Sequence, residues 1–430
     1  MPASPSTARA INDRLALRLL QQEGPLTAGR LKQLTGLSRP TVADLVERLT
    51  AAGLIAVVGE AGEQRRGPNA KVYGIVADRA HLAALDVRTE GVAVAVADLV
   101  GRVLAEASVP IGGDIGTGPA VEQAVTLVER VAKEAGADRL HTVGIGAPGL
   151  VDPSSGELRD STGLPQWHRR LVSTLQERLP EARVSVENET NLAALAEQRD
   201  GVARDRDTFV LLWLGQGTGA AVVLDGALRR GASGGTGEIG FLPVPGTTAL
   251  PTSTDCEGGF HSLASSAAVV ELAAECGVPV EPGQEVSQAG VVRAAVGVVR
   301  GAVAQVGEEG AAAGKALGSP EEHPPAAPVP AARFLDALAD RLAVGVASVV
   351  AILDPGCVVL GGEVGEAGGE ELAARVQHRI ARMTPLPTEV RTTALGGGAV
   401  LRGALLTARD RAQEELFTPG ERLPQPPPGW

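Results

Sequence analysis

Apolar residues near the start of the chain recur at helical intervals. Ile11, Leu15 and Leu19 share one such spacing, and Gly24-Pro25 stops the helix they predict. Thr27 stands where a second helix needs an N-cap; Leu31 and Leu34 line that helix and Gly36 ends it. Ser38 caps a third helix, with Pro40 in its first turn where a missing N–H costs no hydrogen bond. Val42, Leu45, Val46 and Leu49 form its buried stripe. Alternation then takes over, with a strand at 54–58, the loop GEAGEQRRGPNA and a returning strand KVYGIV. Helix, short helix, tight turn, helix and hairpin predict a winged helix-turn-helix over residues 1–78.

After residue 80 the pattern changes. HLAALDVRTEGVAVAVADLVGRVLAEASVPI reads as alternating strands that turn near Gly101, followed by a helix around 121–135. TVGIGAPGLVDPSSGEL gives a buried strand and a glycine turn, and VSVENETNLAALAEQR a strand passing into a helix. DTFVLLWLGQGTGAAVVLDG predicts a strand, a glycine loop and a strand; RLAVGVASVVAILDPGCVVLGGEV predicts helix, strand and glycine turn. Strands interleaved with helices indicate an α/β region with mixed sheets over 79–417. Within it, a Pro/Ala-rich stretch near 307–332 reads as a disordered insertion, and 418–430 as a disordered Pro-rich tail.

Composition changes the picture in two places. Aromatics are only 2% of the chain, so the core must be built from Ala, Val and Leu. The net charge of −12 argues, taken whole, against a nucleic-acid partner, but its distribution reverses that inference. Residues 1–80 hold eleven Lys/Arg and seven Asp/Glu, a net of +4, which leaves −16 on the remainder. In the basic module Ser38, Arg39 and Thr41 avoid the apolar stripe of the third helix and can face base edges or phosphates in a major groove. Arg65-Arg66 at the wing tip can reach a minor groove or flanking backbone, and Arg48 and Lys71 complete the basic set. A helical hairpin that binds only protein is the other reading; element order, turn chemistry and local basicity favour double-stranded DNA.

The start has no apolar core of signal-peptide length, and the best apolar run, 342–353, is short of the ~20 residues of a membrane span. Three widely spaced cysteines make no disulfide framework. A cytoplasmic protein with no membrane partner is expected.

Four segments, GIGAPGLVDPSSG, VENETNLAALAE, LGQGTGAAVVLDGALRRGASGGTGEIG and VVLGGEV, in this order, resemble the ROK family of repressors and sugar kinases over nearly all of residues 80–415. The resemblance implies an actin-like ATPase (sugar-kinase-like) domain of two α/β lobes around a sugar-binding cleft. The winged helix in front is the arrangement of the family's repressor branch.

Phosphoryl transfer needs a phosphate cradle, Mg²⁺ and a base on the sugar hydroxyl. The family's first phosphate turn resembles D-x-G-G-T-K. Here it reads Asp86-Val87-Arg88-Thr89-Glu90-Gly91, with side chains in place of both glycines and an acid where phosphate would sit. The loop Gly215-Gln216-Gly217-Thr218-Gly219 keeps its glycines, which serve a tight hairpin as readily as a phosphate; Gly361-Gly362 is equally ambiguous. Glu189 occupies the position of the family's catalytic Asp, one methylene too long for the same in-line geometry. Glu238 is kept in the family's G-E-x-G-H element, whose His becomes Phe241. The Asn before Leu-Pro-x-Trp becomes Gly163, and the Glu of the cysteine-rich element becomes His261.

If a ligand binds, the resemblance places Asn188, Glu189, Glu238, Phe241 and His261 around it; the other reading is that these polar residues cap helices. The family's zinc ligands fall on Thr252, Thr254, Gly259 and Phe241, so no metal is expected, although Cys256, Asp255 and His261 lie close in sequence. The expectation is therefore a DNA-binding regulator, a repressor, with no catalytic residues and no cofactor. Operator DNA, a sugar or sugar-derived effector and a second copy (a homodimer or dimer of dimers) are its expected partners. The alternative is an ATP-dependent, glucokinase-like sugar kinase with a DNA-binding arm.

Overall fold

The structure, a computed structural model, describes residues 5–61, 69–159, 164–247, 249–278, 287–313 and 329–417. Arg65, Arg66, Gly163 and the tail from 418 lie outside the described residues. Two compact units divide the chain, one of 1–145, 170–185 and 404–430 and the other of 146–169 and 186–403.

The first unit opens with α1 (Pro5–Glu23), β1 (Leu26–Thr27), α2 (Ala28–Thr35), α3 (Arg39–Ala51), β2 (Ile55–Ala61) and β3 (Ala70–Ile75). The strands form a small antiparallel sheet in the order β1-β3-β2, which is the wing. Helix α1 exists where Ile11, Leu15 and Leu19 predict it, yet it buries a different side. Ala16, Leu17 and Leu20 are within 4% of full burial, whereas Ile11 is 56% and Leu15 39% exposed. A three-residue stripe identified the helix but not its inward face, because the Ala16-Leu17 pair falls between those positions.

A short 3-10 turn, Ala77–Arg79, leads into β4 (His81–Arg88), β5 (Gly91–Asp98), β6 (Val103–Pro110), α4 (Thr117–Glu134), β7 (Leu140–Ala147), α5 (Trp167–Arg178) and β8 (Arg183–Asn188). The sheet order is β6-β5-β4-β7-β8, an antiparallel meander with two further strands. Helix α4 buries Ala120, Val121, Ala124, Val125, Val128 and Val131, a stripe at three- and four-residue intervals that lays it on β5 and β6.

The second unit repeats this plan. It contains α6 (Glu189–Arg199), β9 (Phe209–Leu214), β10 (Thr218–Leu224), β11 (Ala227–Arg229), α7 (His261–Ala264), α8 (Ser266–Glu275), α9 (Gln288–Ala313), α10 (Pro330–Leu353), β12 (Cys357–Gly361), α11 (Gly362–Met383) and β13 (Glu389–Thr392). Its sheet order is β11-β10-β9-β12-β13, with β12 parallel to both neighbours. The last helix, α12 (Ala399–Leu416), carries the chain back to the first unit. Two mixed sheets of like order are the α/β lobes expected from the strand–helix alternation.

The core of the second unit is Val, Leu and Ala around two buried phenylalanines, Phe260 and Phe334, as the low aromatic content requires. The expected insertion near 307–332 is helical at both ends. Good helix formers carry α9 to Ala313, and Pro330 opens α10 at a position where proline is tolerated; residues 314–328 lie outside the described residues. No helix among the described residues is long and apolar enough to cross a membrane.

Candidate functional site

Each cap predicted in the winged helix is present. Thr27 Oγ1 accepts from the Arg30 amide at 3.2 Å, and Gly36 ends α2 at φ 70°, a left-handed conformation in which glycine has no Cβ to strain. Ser38 Oγ accepts from the Thr41 amide at 3.3 Å and lies 2.8 Å from Thr41 Oγ1, so the two hydroxyls order the first turn of α3. Val42, Leu45, Val46 and Leu49 are buried, which leaves Arg39 exposed and Thr41 half-exposed on the same turn. Lys71 is exposed on β3, opposite Glu60 of β2.

Arg48 stands apart from this set. Its guanidinium donates to Asp13 on α1 at 2.6 and 3.4 Å and also bonds Asp44 one turn back. Asp13 is only 14% exposed and Arg48 31%, so the pair ties α3 to α1. The partner was invisible in sequence because it lies 35 residues away on another helix.

In the second unit, four segments converge on the residues that the sequence singles out. Asn188 ends β8 and caps α6: its Oδ1 accepts from the amides of Thr190 (2.9 Å) and Asn191 (3.2 Å), and its Nδ2 donates to Gly149 O at 3.0 Å. Its amide is thus fully used by the fold. Glu189, half-buried, begins α6 with Oε2 3.4 Å from Asn188 Nδ2. The glycine run 234–237 packs on the 149–151 loop, since a Cβ at Gly235 would lie 3.6 Å from Leu150 and 3.7 Å from Glu238. Gly237 has φ 89°, and a Cβ there would meet Ala220 O at 1.8 Å; this glycine serves the fold.

Beyond it Glu238 opens a 3-10 turn, Ile239–Phe241, and desolvation raises its carboxyl pKa above the ordinary value. Phe241 is 38% exposed. His261 starts α7 with Nδ1 3.5 Å from Thr218 Oγ1; burial lowers its pKa against a weaker opposing pull from Asp255. Burial also raises the Cys256 thiol pKa, with Asp255 and Glu238 adding to the rise. Glu187, which sequence reasoning missed, is the organiser nearby: it accepts from the Asn188 amide and Asn191 Nδ2 (3.0 Å each) and from Arg230 Nε (2.7 Å). Glu187 precedes Asn188 and Glu189, but its bond to Arg230 spans 43 residues, which a linear pattern does not reveal.

No group of three or more metal-ligating side chains occurs among the described residues. Asp255 spends Oδ1 on the Glu257 amide at 2.9 Å, which makes it a turn residue beside Thr252 and Thr254.

The phosphate elements are altered in three dimensions as well. In the first unit, residues 86–91 form a tight β4–β5 hairpin with Arg88 paired to Gly91. Asp86, 3% exposed, is held by Arg88 at 2.8–2.9 Å. Burial raises its carboxyl pKa, and the Arg88 charge opposes the shift. A Cβ at Gly91 would meet Val109 O at 2.7 Å, so its smallness serves strand packing.

In the second unit, Gly362 has φ 74°, and a Cβ there would lie 2.5 Å from Leu214 O; it too is required by the fold. Glu363 follows in the first turn of α11, and a Cβ at Gly215 would sit 2.8 Å from its Oε2 and 2.7 Å from Trp213 Nε1. A carboxylate therefore occupies the helix N-terminus between the two retained glycine turns, where an anion would otherwise be favoured.

Two α/β lobes with these glycine turns, preceded by a winged helix, define a regulator–kinase type of chain. Residues 82–320 and 325–411 match the ROK family model, and residues 11–67 match that of the MarR family. The chain belongs to the ROK family. It is 26% identical over 242 residues to the xylose repressor of Caldicellulosiruptor bescii, covering 55% of this chain and 59% of that protein. It is 27% identical over 254 residues to a glucokinase of Thermotoga maritima, covering 56% and 70% respectively. The chain thus spans about three fifths of the repressor's length. The fold is that of a ROK family transcriptional regulator described as a homolog of the E. coli MLC protein. That match has a TM-score of 0.70, 21% identity, and covers 96% of this chain and 100% of the other.

Proposed function

We propose that this chain is a DNA-binding transcriptional regulator, a repressor, whose ROK lobes form a catalytically degenerate domain for effector binding and dimerisation. The observation that carries the reading is a capped winged helix with an exposed, polar first turn on α3, set before the ROK lobes. Ser38, Arg39, Thr41 and Lys71 form its DNA face, with Arg65 and Arg66 assigned from sequence alone; Arg48 supports α3 from behind. Two copies place two α3 helices on a roughly palindromic operator in the cytoplasm. In the second unit, Glu189, Glu238 and neutral His261 offer acceptors to the hydroxyls of a sugar or sugar derivative, with Phe241 as an apolar wall. Asn188 shapes that site rather than binding the ligand, because its amide is engaged with Gly149 and α6.

Mobility shift with the protein's own upstream DNA tests the reading. Specific binding that weakens steeply with salt is expected, and absent or salt-insensitive binding overturns it. The kinase alternative rests on a carboxylate, Glu189, still standing at the base position and on the 215–219 loop keeping its glycines. A coupled ADP-release assay across hexoses and N-acetylhexosamines should show no turnover; robust turnover reinstates it. The tight Asp86–Arg88 hairpin and the Glu363 carboxylate are the physical grounds for expecting none.

A further inference from the structure

The linker between the wing and the first lobe has little slack. Strand β3 ends at Ile75 and β4 begins at His81, and the intervening 3-10 turn is pinned by the Leu99 amide donating to Ala77 O at 2.9 Å. Leu99 lies in the β5–β6 turn, which Asp98 holds rigid. That carboxylate is 3% exposed and accepts from the amides of Val100 (3.1 Å) and Arg102 (2.9 Å) and from Arg102 Nε (3.2 Å).

The same turn presents two carbonyls to two glutamines from opposite ends of the chain. Gln21, in the last turn of α1, donates Nε2 to Val100 O at 3.1 Å. Gln413, in α12, donates Nε2 to Leu99 O at 2.9 Å and to Gln21 Oε1 at 2.8 Å. A primary amide has two N–H donors, so Gln413 spends both, and the two carbonyl acceptors admit only one orientation of each side chain. Helix α1 packs on α2, α3 and β3, so a fixed Gln21 fixes the whole reading head on its lobe.

The geometry points to Gln21 and Gln413 as positioning residues: their shared amide node locks the reading head to the first lobe and so sets the half-site spacing an operator must have. This rests on the DNA-binding reading above. With the head locked, the separation of two recognition helices belongs to the dimer, and each added base pair turns one half-site by about 35° away from its reader. With the node open, the linker turn still tethers the head, and the head can follow a displaced half-site.

Gln413→Glu replaces the donor nitrogen with an acceptor oxygen that faces both Leu99 O and Gln21 Oε1. Gln21→Met keeps the side chain's length and removes only the α1 arm, and it carries the test should the first variant fail to fold. The full-length chain is titrated with duplexes whose half-site separation varies by one or two base pairs, beside a duplex bearing one half-site. The wild type is expected to lose about tenfold in affinity per displaced spacing, the scale of one mispaired contact. Each variant is expected to cut that penalty to about threefold or less, with single half-site affinity held within about twofold. Amide exchange at Leu99 in DNA-free protein is expected to quicken in the Gln413→Glu variant, because the turn it braces has lost a partner. A purely stabilising contact would lower the melting point without flattening the spacing profile. Variants that fold and keep the wild-type profile overturn the inference; a wild type that binds no DNA overturns the proposed function itself.

Discussion

Replacing Arg48 with Met retains the aliphatic stem in its position on α3 and deletes the guanidinium. The loss is two charge-assisted hydrogen bonds to Asp13, at 2.6 and 3.4 Å, the neutralisation of a carboxylate that is 14% exposed, and a bond to the exposed Asp44 one turn back, which the cycle with Asp13 leaves out. A hydrogen bond to a charged group contributes about 1.5–3 kcal/mol. The second bond is long and Arg48 is itself 31% exposed, so solvent screening brings the pair to about 1–2 kcal/mol. A double-mutant cycle with Asp13→Asn in urea unfolding should return a coupling of that size, and the double variant should be little worse than either single one. Operator titrations below the melting transition then separate support from contact. If Arg48 only braces α3, Arg48→Met and Asp13→Asn change affinity equally and leave the salt slope intact. A loss confined to Arg48→Met, with the slope reduced by about one phosphate contact, would refute the reasoning and make Arg48 a DNA ligand.

Ser38→Ala removes the α3 cap and should cost about 1 kcal/mol by thermal denaturation, with Ser38→Asn restoring most of it; no change would mean the Thr41 amide finds another acceptor. Gly345→Ala places a Cβ 2.5 Å from Phe260 Cζ in a fully buried core, for an expected loss of about 1–3 kcal/mol that Phe260→Leu relieves. Burial holds the Asp86 pKa above its ordinary value, so its contribution to stability is present in acid and is lost as pH rises through the folded-state pKa. Asp86→Asn should therefore gain on the wild type as pH rises above the ordinary carboxylate range, and a difference that shrinks instead would show that the Arg88 pair outweighs desolvation.

Local chemistry was the legible part of the sequence. Thr27, Gly36 and Ser38 act within three or four residues of themselves, and each does what its type and position imply. The strand–helix alternation gave two mixed sheets for the same reason. What required three dimensions were choices among equivalent positions. Nothing local distinguishes Ile11 and Leu15, which face outward, from Leu17 and Leu20, which do not. Arg48 looked like any basic residue on a recognition helix until Asp13 came beside it. In the lobes, motif position put Asn188 at a ligand, while its side-chain bonds assign it to the cap of α6 and the 149 loop. Gly237 and Gly362 proved to be demanded by positive φ and close carbonyls, a cause that spacing alone does not separate from phosphate binding.

That last distinction bears on why a kinase-like body can serve a regulator. A helix N-terminus kept open for phosphate leaves backbone N–H groups without an acceptor, a local cost that substrate binding relieves. At α11 the acidic side chain of Glu363 stands in that place, and an acid in the first turn contributes about 0.3–1 kcal/mol to its own helix. In the first unit, Arg88 both fills the phosphate turn and offsets the desolvation of buried Asp86. Both side chains that oppose ATP thus also act on the fold, Glu363 on the dipole of α11 and Arg88 on buried Asp86. On the sugar side of the second unit, Glu238 is exposed with a carboxyl pKa raised by desolvation, and burial lowers the pKa of His261, whose Nδ1 lies 3.5 Å from Thr218 Oγ1. Polar side chains left open on the sugar side, against Arg88 and Glu363 at the phosphate turns, are the basis for expecting an effector there and no nucleotide.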